Sequence, residues 1–511
     1  MVASIRSESP IWQNQVDAAR WTWVLPLLAT SLSLLWILVQ RYYRAGLSKF
    51  PGPALAAVSG FYKTYVEVFQ QGCFVHKLEE LHAKYGDVVR TGPNELHFRN
   101  PSAYADIYNM KNRWDKDPKL YEAFGESDSS FGRLSYRAAK ERKNVLQSLF
   151  SKKAAVQTHE LIEAKVVELC NAFEKSSGAP VDLLGAFRCL SIETIAYIFC
   201  GQSVGTLQSL DFDPPLLQAM DESVNYIMLM KHFPILQTLM QRCPPWLAKI
   251  LSPKASGMVD FREFLDQQVS TLMADRKKLD NLPHSSTIYH LLLGPEVSAP
   301  PSHLSILEET QTQVFAGESS GLTLMHGSFH IVQTPRVYQK LKEELIATWP
   351  NLDQPPSLAT LERLPYLNAV VKESLRMGGG ATSPLLRVVP ETGAIIDGVL
   401  IAPGTVVGSS SHFVHRNGDI FHDPDEYIPE RWMDGRGDEL EQHLVAFGRG
   451  PRRCIGENFA WVILLTCIAH FYRKFNVELD PSSPTKLDWK DRFVPVYSTP
   501  HLTVRVSKVI L

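Results

Sequence analysis

Cysteine is scarce in this chain: seven residues among 511, odd in number and widely scattered. Cys73, Cys170, Cys189, Cys200, Cys243, Cys454 and Cys467 form no C-x-x-C or other zinc-like spacing. A disulfide framework is therefore not expected, and the folded bulk is expected to face a reducing compartment. An excess of charge of one sign is also missing. The 52 Lys and Arg against 54 Asp and Glu leave a net −2, with a pI near 6.8. No global basic field exists to hold nucleic acid. Repeats, charge blocks and long low-complexity stretches are absent. With 45% hydrophobic and 21% charged residues, the composition rules out a disordered tail protein, a collagen-like fibre and a coiled coil. The length allows about three domains, but nothing after residue 50 marks a boundary.

What is present begins with a membrane signal. Residues 21–39, WTWVLPLLATSLSLLWILV, carry no charge and span about 28 Å as a helix, the thickness of a bilayer core. Trp21, Trp23, Tyr42 and Tyr43 stand at the two ends, where amphipathic rings favour the interface. A cleaved signal peptide has a shorter apolar core and lacks the stop-transfer flank that Arg41, Arg44 and Lys49 provide here. Against Arg6 and Arg20 before the span, that flank puts the C-terminal mass in the cytoplasm. Residues 1–20 then read as a short luminal N-terminus, 21–40 as the anchor and 41–53 as a basic, proline-rich hinge ending in Phe50-Pro51-Gly52-Pro53.

Helical periodicity dominates from about 67 to 376, for example over 161–173 and 192–199. A long helix is predicted over 302–334, with Ser302 as N-cap and Pro335 as its stop. After Pro384 the texture changes: LLRVV, AIIDGVLIAPGTVVG and LTVRV read as short strands. The fold class is mainly α with small β-sheets.

The most informative segment is Phe447-Gly448-Arg449-Gly450-Pro451-Arg452-Arg453-Cys454-Ile455-Gly456. Its glycines bracket a tight loop that lets backbone approach a flat ligand. An apolar-periodic helix over 457–472 follows, so Cys454 lies just before a helix N-terminus, where the dipole and three arginines favour a thiolate. A lone cysteine is ordinarily a small buried hydrophobe; the surroundings of this one suggest a soft ligand for iron.

Phe447-x-x-Gly450-x-Arg452-x-Cys454-x-Gly456 resembles the full haem-binding signature of the cytochrome P-450 family. Glu373-x-x-Arg376 lies about 80 residues upstream, and Pro429-Glu430-Arg431-Trp432 resembles the family's short arginine motif. The resemblance covers nearly all of residues 50–511, including the proline hinge. It implies the cytochrome P-450 fold behind a transmembrane helix, with residues 54–511 as one haem-thiolate monooxygenase domain. It makes Cys454 the axial ligand of haem b (iron protoporphyrin IX), Arg452 a propionate partner and Phe447 a shield for the sulfur, with Gly448, Gly450 and Gly456 shaping the loop. Glu373, Arg376 and Arg431 become a buried structural ion network. Arg387 corresponds to a frequent propionate partner. Where the family has Trp/His-x-x-x-Arg, this chain has Ala139 and Lys143, with Arg142 adjacent; Arg142 and Lys143 are the basic residues available there. A basic surface meeting an acidic redox partner is the other reading of that helix.

The oxygen-activation stretch of the family reads here Ala316-Gly317-Glu318-Ser319-Ser320. By this resemblance Gly317 lets the helix widen locally, Ser320 replaces the threonine hydroxyl, Ser319 stands where an acid is usual, and Glu318 lies one residue earlier. Phe315 and Ala316 are expected to line the substrate pocket. Gly317-Glu318-Ser319-Ser320-Gly321 also matches the G-x-S-x-G elbow of hydrolases, but the residues before it read as helix, not strand. The resemblance further implies O2 as co-substrate and NADPH acting through a membrane NADPH–cytochrome P-450 reductase. The expected partners are membrane lipid and a hydrophobic small molecule, with no nucleic acid. The expected site is the endoplasmic reticulum membrane, single-pass, with the catalytic domain cytoplasmic. Texture such as GPNELHFRNP resembles filamentous-fungal members of secondary metabolism, some of which oxidise terpenes. The alternatives are a desaturase or isomerase of the same fold, and a membrane haem-binding protein without turnover.

Overall fold

The apolar run of the N-terminus lies within one helix, Ile11–Tyr43, in the computed structural model, which describes residues 11–509 except 177 and 210. The helix thus starts ten residues ahead of the expected span; residues 1–10 of the expected luminal segment lie outside the described residues. Its Leu25–Tyr43 stretch is long and apolar enough to cross a membrane, and none of it is buried. Leu183–Cys200 passes the same test of length and apolarity, yet 89% of it is buried. One is an apolar helix without protein around it; the other is a core helix.

Arg90 fastens the base of the N-terminal helix. Its guanidinium donates to the carbonyls of Tyr42 (2.6 Å) and Arg41 (2.8 Å). Helix C-termini leave such carbonyls without intrahelical donors and carry partial negative charge, so a buried cation there satisfies both.

The centre of the core is the helix His303–Gln333. Ser302 caps it, its hydroxyl accepting from the Ser305 amide at 3.2 Å, and Pro335 opens the next helix. The helix runs unbroken through residues 316–321, so the expected local widening at Gly317 does not occur. Gly317 has a different purpose: a Cβ there would lie 2.7 Å from Ile195 Cγ1, and one at Gly321 would lie 2.6 Å from the Phe187 carbonyl oxygen. Two small residues four apart let the long helix and Leu183–Cys200 approach closely. The apparent hydrolase elbow is therefore helical throughout, and its second glycine is a packing contact.

Five short strands form the largest sheet, in the order Val88–Gly92, Glu95–Phe98, Val406–Gly408, Arg387–Val388, Asp115–Lys116. Only the pairing of Glu95–Phe98 with Val406–Gly408 is parallel. This sheet brings Lys116 directly opposite Arg387. A three-stranded sheet joins Pro180–Asp182 and Phe475–Leu479 to Thr503–Lys508.

The helix Pro365–Gly378 is locked to the segment 422–432 by Glu373. Its carboxylate accepts from Arg376 (2.8 and 2.9 Å), Arg431 (3.1 Å), the Trp432 indole (2.9 Å) and the Ile428 amide (2.9 Å). Glu373 is fully buried. Desolvation alone raises a carboxylate pKa, but the two guanidinium groups outweigh it and hold Glu373 below the usual range. A buried charge this well partnered is retained ionised.

Candidate active site

The loop ahead of the helix Glu457–Lys474 is closed by its own backbone. The Cys454 amide donates to the Phe447 carbonyl at 2.9 Å, and the Arg453 amide to Gly450 at 3.0 Å. Gly448 and Gly450 take φ of +69° and +75°, a region that side-chain-bearing residues rarely enter. A Cβ on Gly450 would also meet the Tyr108 carbonyl oxygen at 2.5 Å. The loop presents the Cys454 sulfur to a cavity of about 790 Å³ deep in the molecule. Phe447, Arg452, Gly456, Phe315, Ala316, Ser319 and Ser320 border the same cavity.

The sequence reading expects a thiolate at Cys454. In the protein alone, burial pushes the thiol up, and the Gly456 amide, Lys143 and Arg453 offset this only in part. Ionisation is left to a bound cation, because a metal draws the proton from its thiol ligand.

Facing that sulfur's cavity are three cations, Arg387 and Lys116 buried and Arg452 half-buried. Arg387 donates to the Tyr121 hydroxyl (2.9 Å) and the Leu386 carbonyl (2.9 Å), and lies 5.5 and 5.9 Å from the Tyr108 and Tyr121 rings. Arg452 donates to the carbonyls of Leu134 (2.6 Å) and Arg133 (3.2 Å), while its Nε has no partner. Lys116 donates to the Phe131 carbonyl. None has a carboxylate partner among the described residues. Burial and repulsion by Arg387 push Arg452 down to about 10. Burial, Arg387 and Arg452 together push Lys116 well below the ordinary lysine value. Buried cations are normally paired; here the anions must come from a ligand. A group carrying two carboxylates and a thiophilic metal fits this donor set, and haem is such a group.

Two basic residues of the helix Tyr136–Leu146 behave differently from each other. Lys143 borders the cavity and donates to the Arg453 carbonyl at 2.7 Å, bracing the cysteine loop. Arg142, expected toward the haem, turns away instead. It bonds Ser305 Oγ and pairs with the fully buried Glu309 at 3.5 Å, because the long helix offers a carboxylate there.

On the long helix, Ser319 Oγ donates to the Ala316 carbonyl at 2.9 Å, and Thr323 Oγ1 donates to the Ser319 carbonyl at 2.9 Å. Ser320 is nearly buried at the cavity wall and has no protein hydrogen bond among the described residues. Glu318 also borders the cavity, but it is held by Arg188 at 2.5 Å, and Arg188 in turn reaches Asp221 at 2.7 Å. Burial, with Asp221 adding to it, raises the Glu318 carboxyl against the pull of Arg188, which divides its bonds between the two acids.

Sequence reasoning missed Lys116, Arg188 and Glu126. Nothing in the local pattern marks Lys116, since only the pairing of two strands distant in sequence sets it beside Arg387. Arg188 had a signal: it is a lone charge in the otherwise apolar stretch 183–192.

The cytochrome P450 family model matches residues 60–500. The chain belongs to the cytochrome P450 family. Among its relatives, cytochrome P450 monooxygenase flvC of Aspergillus flavus is 34% identical, over 90% of this chain and 92% of that protein. Tryptophan 6-hydroxylase fscE of Fusarium equiseti is 30% identical, over 90% and 92%. Conidiogenone synthase PchP450 of Penicillium rubens is 29% identical, over 87% and 90%. The family carries haem-thiolate and oxygen chemistry, and these relatives are fungal enzymes. The loop of this cytochrome P450 and its unmatched cations border one cavity, as that chemistry requires.

Proposed function

We propose that this cytochrome P450 is a membrane-anchored monooxygenase that inserts one oxygen atom from O2 into an apolar small molecule of fungal secondary metabolism, such as a terpenoid. Electrons come from NADPH through a membrane reductase, and the catalytic domain lies on the cytoplasmic face of the endoplasmic reticulum. The observation that carries the reading is one cavity bordered by the Cys454 sulfur on its loop and by buried Arg387 and Lys116 and half-buried Arg452, without carboxylate partners among the described residues. The exposed apolar stretch Leu25–Tyr43 supports the anchor.

When bound, haem b supplies oxygen activation, aided by electron density from a thiolate ligand. Cys454 provides that ligand, and Gly448 and Gly450 allow its loop to close. Arg387, Arg452 and Lys116 hold the propionates. Phe315 and Ala316 exclude water from the substrate side, which strengthens every polar interaction inside. Ser320 and Ser319 would hold water and a proton at their hydroxyls on the cavity wall, since hydroxyls both donate and accept. Glu373, Arg376 and Arg431 are structural.

The test is the optical spectrum of the reduced, CO-bound protein. The thiolate-type red-shifted Soret band is expected in the wild type and is expected to vanish in Cys454→Ala. An unchanged band in that variant overturns the assignment. NADPH consumption coupled to an oxygenated product then separates turnover from mere haem binding. The engagement of Glu318 by Arg188 favours a second reading, desaturation or rearrangement on the same fold, because no acid of residues 316–320 is free to supply protons. Turnover without NADPH and O2 decides for the rearrangement.

A further inference from the structure

Among the described residues, one acidic group at the cavity has no cation paired with it. Glu126, in the segment between the strand Asp115–Lys116 and the helix Tyr136–Leu146, is 7% exposed and borders the cavity. Its Oε2 accepts from Thr312 Oγ1 at 2.6 Å and its Oε1 from Gln311 Nε2 at 3.1 Å. Both donors are neutral. The charged groups around it are otherwise committed. Arg262, on the helix Ser256–Ala274, donates to Gln311 Oε1 at 3.0 Å. Arg142 pairs with Glu309, and Arg133 lies 3.9 Å from Asp128. Glu308, which accepts from the Asp128 amide at 2.7 Å, adds negative charge nearby. Burial pushes the Glu126 carboxyl up to about 7, with Glu308 contributing and Thr312, Gln311 and Arg262 opposing. The other acidic group at the wall, Glu318, bonds directly to Arg188, a cation it shares with Asp221.

Position along the long helix sets the geometry. Thr312 and Ser319 are seven residues apart, two turns, so they share a face about 10 Å apart, with Phe315 and Ala316 between them. One end of this stripe holds a carboxyl lacking a counter-ion and the other holds the serine hydroxyls.

We infer that Glu126 anchors the substrate and that the substrate, apolar over most of its length, carries one basic nitrogen, held about 10 Å from the part presented to Ser319 and Ser320. A neutral hydroxyl adds one hydrogen bond to a carboxyl that already has two, and leaves the ionised form uncompensated among apolar groups. An ammonium group cancels that charge. A carboxylate ligand is repelled. This inference rests on the monooxygenase reading and names the substrate class of the same site.

The experiment uses the haem-loaded full chain in lipid nanodiscs and three probes sharing one decyl chain: N,N-dimethyldecylamine, 1-decanol and decanoic acid. Affinity is read from the Soret change and, independently, by calorimetry. At about pH 8 the amine is expected to bind at least about tenfold more tightly than the alcohol, with the acid weakest. The ammonium stays charged across this range while Glu126 protonates, so amine affinity falls by about tenfold on going to about pH 6. Glu126→Gln is expected to lose both the preference and the pH dependence while keeping the affinity for 1-decanol. Equal binding of amine and alcohol, tightest binding of the acid, or a Glu126→Gln protein that keeps its preference each overturns the inference. The three-probe comparison on the wild type decides even if the variant fails to load haem. A missing thiolate-type CO band counts against the haem-thiolate reading alone, because calorimetry with the same probes still reports on Glu126.

Discussion

Arg376 and Arg387 are buried to a similar degree, yet the chain completes the surroundings of only one. Arg376 sits in a closed set with Glu373 and Arg431, every charge answered by a side chain or carbonyl. Arg387 sits with Arg452 and Lys116, three like charges without a carboxylate. Burial alone does not distinguish structure from function; the presence or absence of the counter-charge does. The first cluster is finished when the chain folds. The second is finished when a dianionic cofactor binds.

The largest effect is expected from breaking the finished cluster. Glu373→Gln leaves two buried guanidinium groups without their carboxylate, a loss of roughly 3–5 kcal/mol. Denaturant unfolding of haem-free and haem-loaded protein is expected to show the same loss, because the network is complete without the cofactor. The Glu373 carboxyl is held low, so its contribution is present above the ordinary carboxylate range and lost as pH falls through that lowered value. A loss under about 1 kcal/mol contradicts the role.

Next in size is the contrast within residues 317–321. Gly321→Ala drives a Cβ against backbone at Phe187 and is expected to cost about 2 kcal/mol or more. Gly317→Ala meets the Ile195 side chain, which can yield, and costs less. Ser320→Ala removes a hydroxyl at the cavity wall with little change in stability. A ranking in which Ser320→Ala is the most destabilising of the three contradicts the packing account.

These elements also show what could be read beforehand. The cap at Ser302 and the stop at Pro335 follow from local chemistry, and the long helix lies where they put it. The haem loop was legible because its residues are consecutive and their spacing is constrained. Arg142 was misplaced because spacing gives a helix face but not the partner across from it, and Glu309 is 167 positions away in the chain. Gly317 was assigned to a widened helix because the packing of Leu183–Cys200 against it is invisible in one strand of text. Lys116 and Glu126 went unnoticed for the same reason: each acquires meaning only from a distant element that supplies, or fails to supply, a counter-charge.

The unfinished cluster is expected to respond in the opposite sense to the finished one. Arg387→Met removes a buried cation repelling two others, so the haem-free protein gains about 1 kcal/mol, while haem retention in a competition assay falls. Lys116 gives a pH signature. Its pKa is lowered on folding, so the unfolded state binds the extra proton and stability of the haem-free protein rises with pH, by up to about 1.4 kcal/mol per pH unit, until the ordinary lysine value near 10.4. Lys116→Met is expected to remove that rise. Destabilisation of the haem-free protein by either substitution contradicts the comparison.

The smallest effect is expected on a third kind of charge, one at the solvent-exposed surface. Arg137 is 90% exposed, and it pairs with Glu141 at 3.1 Å, one turn further along the helix. With the base N-terminal to the acid, the pair is in its weaker orientation. Solvent screens what remains, so Arg137→Ala is expected to change stability by about 0.3 kcal/mol or less, and by less at high salt. The helix nonetheless presents Arg137 and Lys140 to solvent, and a basic face of this kind attracts an acidic redox partner. Arg137→Glu is therefore expected to slow reduction by the reductase at low salt and to match the wild type at high salt, with stability lowered by no more than about 0.5 kcal/mol through the like charge of Glu141. Stopped-flow reduction at two ionic strengths checks this. A variant that is reduced at the wild-type rate at low salt shows that the exposed charge does not act in partner encounter.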